Sequence, residues 1–144
     1  MFNTIKFLIL VLLCTSFQGM ETTDLTIEFK NLRNDKGTIR LALFNSKDGY
    51  PTKGENAFRK ATATIKDKTG KIIIKNIPVG NYAAAVLHDE NDNNKMDFHF
   101  YGAPKEGYGA SNDAKGSFGP PTYEDAAFKV EGKESKIIIN MRYF

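Results

Sequence analysis

Apolar and polar residues alternate along most of this chain. Leu25, Ile27 and Phe29 are interleaved with Thr26, Glu28 and Lys30, the period-two pattern of a strand with one buried face. Asn34-Asp35-Lys36-Gly37 supplies turn residues, and Ile39, Leu41 and Leu43 then line one face of the next strand, Thr38 to Phe44. The two read as a hairpin. Residues 45–56 (NSKDGYPTKGEN) form a loop. Ala61 to Lys66 and Lys71 to Lys75 flank Asp67-Lys68-Thr69-Gly70 as a second hairpin. Asn76 to Tyr82 turns into a strand over Ala83 to His88, and Ala126 to Val130 with Lys136 to Tyr143 reads as a closing pair. This predicts seven strands with turn signals every 8 to 12 residues. The expectation is an all-β fold, a seven-stranded antiparallel β-sandwich. No segment past residue 20 carries an apolar stripe of helical period.

Two regions break the alternation. Residues 98–123 (FHFYGAPKEGYGASNDAKGSFGPPTY) form one long irregular connection, rich in Gly, Pro and aromatics. A connection this long inside a small domain is functional or disordered, and its aromatics argue for order. The other break is at the start. Lys6 and the apolar run Phe7 to Cys14 have the layout of a secretory signal peptide, and the run is too short to span a bilayer. We therefore expect a signal peptide over residues 1–20, cut after Ser16 or Gly19, and a single β-sandwich domain over 21–144. The protein is then exported, to the periplasm or beyond the cell. Lipid anchoring at Cys14 is not expected, because Leu13 stands where a lipoprotein signal has a small residue.

Cys14 is the sole cysteine of the 144 residues. Without it the mature chain has no disulfide, thiolate metal site or cysteine nucleophile. A hydrophobic content of 41% is enough for one packed core. Removing the leader takes the formal charge from +3 to +2, because it carries one Lys and no acid. Basic and acidic residues are mixed, with none of the clustered cationic surface that nucleic acid requires. No nucleic-acid partner is expected, and no transmembrane segment in the mature chain.

The candidate chemistry centres on residues 88–97, HDENDNNKMD. Calcium takes oxygen ligands, which short loops supply at alternate positions. Counting from Asp89, the alternate positions are Asn91, Asn93, the main-chain carbonyl of Lys95, and Asp97. Asn94 sits where an EF-hand loop has Gly, and Asn tolerates the left-handed backbone needed there. Phe100 occupies the place of the bidentate Glu, so Glu106, Asp113 or Asp125 would have to complete the set. Binding would be weak, with a dissociation constant on the order of 0.1 to 1 mM. The same residues are also what an ordinary surface turn uses. Other constellations have less support. His88 and His99 with a carboxylate could hold zinc. Ser111, His88 and an Asp could form a triad, without a nucleophile-elbow motif. Glu106 with Asp125 could be a glycosidase pair. His88 alternates with Tyr82, Ala84 and Val86, the position of a plain strand residue.

Several motifs together resemble a known family. They are Pro78-x-Gly80-x-Tyr82, then His88-Asp89-x-Asn91-x-Asn93, then Gly102-x-Pro104-x-Glu106-Gly107-Tyr108-Gly109, then Phe118-Gly119-x-Pro121 and Ala126-x-Phe128. In this combination, over residues 24 to 144, the chain resembles the small exported bacterial proteins of the domain-of-unknown-function family 2141. Asn94 replaces a Gly of that pattern, and Ala110 stands where Phe is common. The Pro-x-Gly-x-Tyr entry is also similar to transthyretin-like and collagen-adhesin-B-type sandwiches. The resemblance implies one exported sandwich domain of prealbumin or immunoglobulin-like type, and strengthens the calcium reading of the loop. It supplies no activity, because fold analogy alone does not carry function.

Three functions follow as expectations. The first is a non-enzymatic binding module, stabilised by calcium at Asp89, Asn91, Asn93, Lys95 and Asp97. It would present His88, Tyr101, Glu106, Tyr108, Phe118 and Tyr123 to an envelope protein, glycan or peptide. The second is a small extracellular enzyme using His88 with Glu106 or Asp125 as acid and base. The third is a structural spacer.

Overall fold

The computed structural model describes residues 19–144. The expected signal peptide, apart from its last two positions, lies outside the described residues, as does Cys14. Among the described residues, eight strands form two sheets: β1 (Thr22–Lys30), β2 (Thr38–Phe44), β3 (Arg59–Ala63), β4 (Gly70–Pro78), β5 (Gly80–Asp89), β6 (Gly107–Ala110), β7 (Phe128–Val130) and β8 (Glu134–Asn140). A single helical turn, α1 (Tyr123–Ala126), precedes β7. One sheet has the order β4–β1–β8, and the other β3–β2–β5–β6, with β7 also paired to β5. The protein is therefore an all-β sandwich.

The alternation read from sequence sets the inner faces. Leu25, Ile27, Phe29, Ile72, Ile74 and Ile139 of the first sheet pack against Ile39, Leu41, Leu43, Tyr82, Ala84 and Val86 of the second. Tyr82, the last residue of Pro-x-Gly-x-Tyr, donates its hydroxyl to the Pro78 carbonyl at 2.8 Å. That bond ties the start of β5 to the turn before it.

The pairings differ from those expected. None of the three hairpins read from sequence is a ladder. β1 and β2 lie in different sheets, as do β3 and β4, where only Lys66 and Thr69 bridge. β7 and β8 also part, one to β5 and the other to β1. The turn residues do reverse the chain, but at each of these reversals it crosses from one sheet to the other. β8 runs parallel to β1, with Ile27 opposite Ile137, so the sandwich is not purely antiparallel. Parallel neighbours need no local turn signal.

The eighth strand is β6, which lies inside the presumed irregular connection. Gly-Tyr-Gly-Ala gives no alternation to read, yet its glycines are required. A Cβ on Gly107 would fall 2.4 Å from the Tyr143 ring, and one on Gly109 2.8 Å from Ile139. β6 thus closes against the last residues of the chain. After β6 the chain continues through the rest of the connection to α1 and β7, which pairs with the start of β5, and residues 90–106 are the insert between β5 and β6.

Candidate functional site

The acidic loop leaves the end of β5, where His88 and Asp89 are both fully buried. His88 faces inward. Its Nε2 lies 2.7 Å from the Lys36 carbonyl, which can only accept, so Nε2–H is the donor. Nδ1 then accepts from the Tyr143 hydroxyl at 2.6 Å. Lys36 comes this close because Gly37 follows it at φ +66°, in contact with the Asp89 carbonyl, where any Cβ would clash. Tyr143 also accepts the Arg33 amide at 3.1 Å, and burial raises the pKa of its phenol. Both nitrogens of His88 are thus engaged, and neither Glu106 nor Asp125 is their partner. The acid–base pair expected of His88 is not formed, and the residue offers no surface to a ligand.

Asp89 faces the other side. Oδ1 accepts the Asn93 amide at 3.1 Å and Oδ2 the Asn94 amide at 2.9 Å, while Arg40 Nε makes a very short ion pair with Oδ2. Asp92 and Asn94 hold left-handed backbone, at φ 55° and 70°, so Asn94 does what its position required. Two Asx turns follow. Asn91 Oδ1 accepts from Asn93 N and Asn93 Oδ1 from Lys95 N, each at 3.1 Å. Both Asn side-chain amides converge on Oδ2 of Asp97, at 2.8 and 2.7 Å. The Asn91 bond, with Asn93 second, holds the Asp97 carboxyl below its ordinary pKa against the opposing effect of burial. Asn91 and Asn93 thus direct their side-chain oxygens to loop amides and their NH₂ groups to Asp97, the bonding of a polar turn.

Two further contacts fasten the loop to the sandwich. Arg33 grips Glu90 through Nε and Nη2, at 2.6 and 2.7 Å, and also donates to the Lys105 carbonyl at 2.9 Å. The Arg33 bonds depress the Glu90 pKa although partial burial opposes them. Glu106, buried beneath the loop, accepts the amides of Glu90 at 2.9 Å and Asp97 at 3.2 Å. Among the described residues, no three His, Cys, Asp or Glu side chains converge as a metal cluster. Asp113 binds Asn140, and Asp125 binds Thr122; neither reaches the loop.

Past Asp97 the chain folds into a small hairpin. Phe98 bridges Pro104, His99 N–H donates to Ala103 at 2.8 Å, and Gly102 N–H closes a turn on His99 at 2.9 Å. Lys105 N–H donates to the Asp97 carbonyl at 2.8 Å. The tip carries aromatics into solvent: Phe98 is 56% exposed, Tyr101 59%, and Phe100 completely. Tyr101 stacks on His99, with centroids 5.0 Å apart. Sequence reasoning named Tyr101 and missed Phe98 and Phe100, although the run Phe98-His99-Phe100-Tyr101 was the available signal.

The remaining expected ligand residues are dispersed. Tyr108 is half-buried on β6, its backbone paired with Arg142. Tyr123 packs edge-on against Tyr50 and donates to the Asn81 carbonyl at 3.2 Å. Phe118 is fully exposed, but on the separate connection between β6 and α1. Ser111 is buried, bonded to Ala84 N and the Ala126 carbonyl, and does not meet His88.

Geometry therefore defines a class: a two-sheet β-sandwich whose insert between β5 and β6 carries an Asx-turn loop and a projecting aromatic hairpin. The chain belongs to the bacterial family described as "Uncharacterized protein conserved in bacteria (DUF2141)", whose model matches residues 27–138. No curated protein matches it. Among solved structures, a pilus-presented adhesin (Cpa), in a cysteine-to-alanine mutant form, aligns at 14% identity and a TM-score of 0.26. The alignment covers 85% of this chain, which spans 27% of that one. Among the described residues, no helix is long and apolar enough to cross a membrane.

Proposed function

We propose that the protein is an exported, non-enzymatic docking module, and that it holds a component of the cell envelope through turn 98–101. The observation that carries this reading is the cluster Phe98, Phe100 and Tyr101. Single exposed apolar residues need no explanation, but a contiguous aromatic group on one tip marks an interaction surface. The tip is also well supported, since Glu106 and Asp97 bond both of its strands to the acidic loop. Aromatic faces of this kind cover apolar parts of glycans, peptides and proteins alike.

Calcium is part of the same proposal. Asp97, the amide oxygens of Asn91 and Asn93 and the Lys95 carbonyl would be its ligands in loop 89–97. Asp89 would contribute mainly through its hold on the loop backbone, because Arg40 already neutralises it. An ion there would stiffen the base of the aromatic hairpin.

The test is retention on isolated bacterial envelopes. The protein should sediment with them, and the combined Phe98→Ser, Phe100→Ser and Tyr101→Ser variant should lose most of that retention while keeping its far-UV spectrum. Equal retention of the variant would overturn the reading.

A further inference from the structure

The aromatic hairpin differs from a small-ligand site in three respects. It is convex, whereas sites for small ligands and sugars are concave. Two open clefts, of about 460 and 440 Å³, lie elsewhere: one is lined by Glu28, Lys30, Lys66 and Lys71, and the other by Glu21, Val79 and Lys129. Second, Phe98 and Phe100, exposed on the turn beside Tyr101, carry no side-chain polar atom with which to bond a hydroxyl. Third, the hairpin closes its own turn: the amides of His99, Gly102 and Lys105 have carbonyl partners within residues 97–105. The amides of Phe100 and Tyr101 have none among the described residues, so they need water, which the interfacial layer of a bilayer keeps and its hydrocarbon core does not.

The surroundings fit the same environment. Lys95 and Lys105 flank the hairpin and are exposed, so their stems can lie along an apolar surface with the ammonium groups among headgroups. Tyr101 has an amphipathic ring of the kind enriched where bilayer meets water. Of the acidic groups around the base, Asp89 is paired with Arg40 and Glu90 with Arg33, while Asp97 and Glu106 accept amide hydrogen bonds and stay behind the tip.

We propose that turn 98–101 docks on a lipid bilayer, with Phe98, Phe100 and Tyr101 entering the interfacial layer. This inference rests on the docking role of the turn and names its partner. Penetration is shallow, because the acidic loop directly behind the hairpin stays in water.

The chain contains no tryptophan, so Phe100→Trp in the full chain gives a probe of one position. Vesicles of phosphatidylcholine and phosphatidylglycerol, with and without brominated acyl chains, would be titrated with this variant and with Ile73→Trp. Ile73 is half-exposed on the outer face of β4. The expected result is a blue shift and bromine quenching for Phe100→Trp, with neither for Ile73→Trp. The apolar run Phe7 to Cys14 could carry the whole chain to vesicles, but quenching at position 100 does not report that.

If Phe100→Trp is neither shifted nor quenched, the lipid inference is overturned. Should envelope retention still depend on Phe98, Phe100 and Tyr101, the docking role stands with a glycan, peptide or protein as partner. If retention is independent of them too, both readings fall. Quenching at both positions would also overturn the proposal, because it would mean that binding is not directed by the hairpin.

Discussion

Tyr143, near the end of the chain, donates its hydroxyl to Nδ1 of His88 at the end of β5, at 2.6 Å. The bond closes the sandwich directly beneath the acidic loop. Removing the hydroxyl would leave a fully buried ring nitrogen without its donor, and the Arg33 amide without its acceptor. An unsatisfied buried polar group costs about 1 to 3 kcal/mol. Tyr143→Phe should therefore lower stability by about that amount, seen as a reduced urea midpoint with an unchanged slope. An unchanged midpoint would mean that the phenol contributes only its packing.

Glu106 should behave differently, because it acts on the loop. Each of its oxygens accepts a backbone amide, from Glu90 and from Asp97. Glu106→Gln replaces one oxygen with an NH₂ group, which cannot accept. Hydrogen exchange should then speed up at Glu90 or Asp97 and through the hairpin, while the amides of β1 and β5 keep their protection. Uniform acceleration would show that Glu106 supports the whole fold rather than the insert.

The inner faces of the strands were legible because burial follows a period of two. Leu25, Ile27 and Phe29 point inward whichever neighbour β1 pairs with, and this is also why the pairing was not legible. Asn34 to Gly37 marks a reversal, but nothing local distinguishes a hairpin from a crossing to the opposite sheet. β6 was invisible for a steric reason: Gly107 and Gly109 are dictated by Tyr143 and Ile139, which are remote in sequence.

The candidate site was partly legible in the same sense. Asn91, Asn93, Lys95 and Asp97 make local bonds, so their spacing announced the Asx turns. His88 alternates with Tyr82, Ala84 and Val86, which marked it as a plain strand residue, yet it was also expected to face a ligand and is instead fully buried. Its partners Lys36 and Tyr143, the Arg40 that holds Asp89, and the Arg33 that holds Glu90 are brought in by β-sheet register and loop packing. No spacing rule reaches across such separations.

The Arg33–Glu90 pair predicts an acid dependence. Glu90 has a folded-state pKa below its ordinary value of 4.5, chiefly through the Arg33 hydrogen bonds. Such a group adds stability that is fully present above the unfolded pKa and is lost as pH falls through the folded one. Stability should therefore drop as the pH is lowered from about 4.5, and Arg33→Ala should flatten that part of the profile. A side-chain carboxyl titration of Glu90 by NMR checks the direction. A midpoint at or above 4.5 would remove the pair from the account.

The ion reading is tested by thermal unfolding in EDTA, then in calcium, with magnesium as control. With a dissociation constant of roughly 0.1 to 1 mM, about 10 mM calcium should add roughly 1.4 to 2.7 kcal/mol through preferential binding to the native state. Magnesium, which demands tighter octahedral geometry, should add much less. The choice of variant decides whether the result can be interpreted. Asp89→Asn would be a poor one, because it strands Arg40 beside a buried amide and destabilises the fold with or without an ion. Asp97 lies at the loop's rim and accepts only side-chain amides from Asn91 and Asn93. Asp97→Asn should therefore keep most of the stability in EDTA and lose the response to calcium. If the native protein shows no calcium-specific shift, the loop's carboxylates are held by Arg40, Arg33 and the side-chain amides of Asn91 and Asn93. The aromatic hairpin then stands on hydrogen bonds alone.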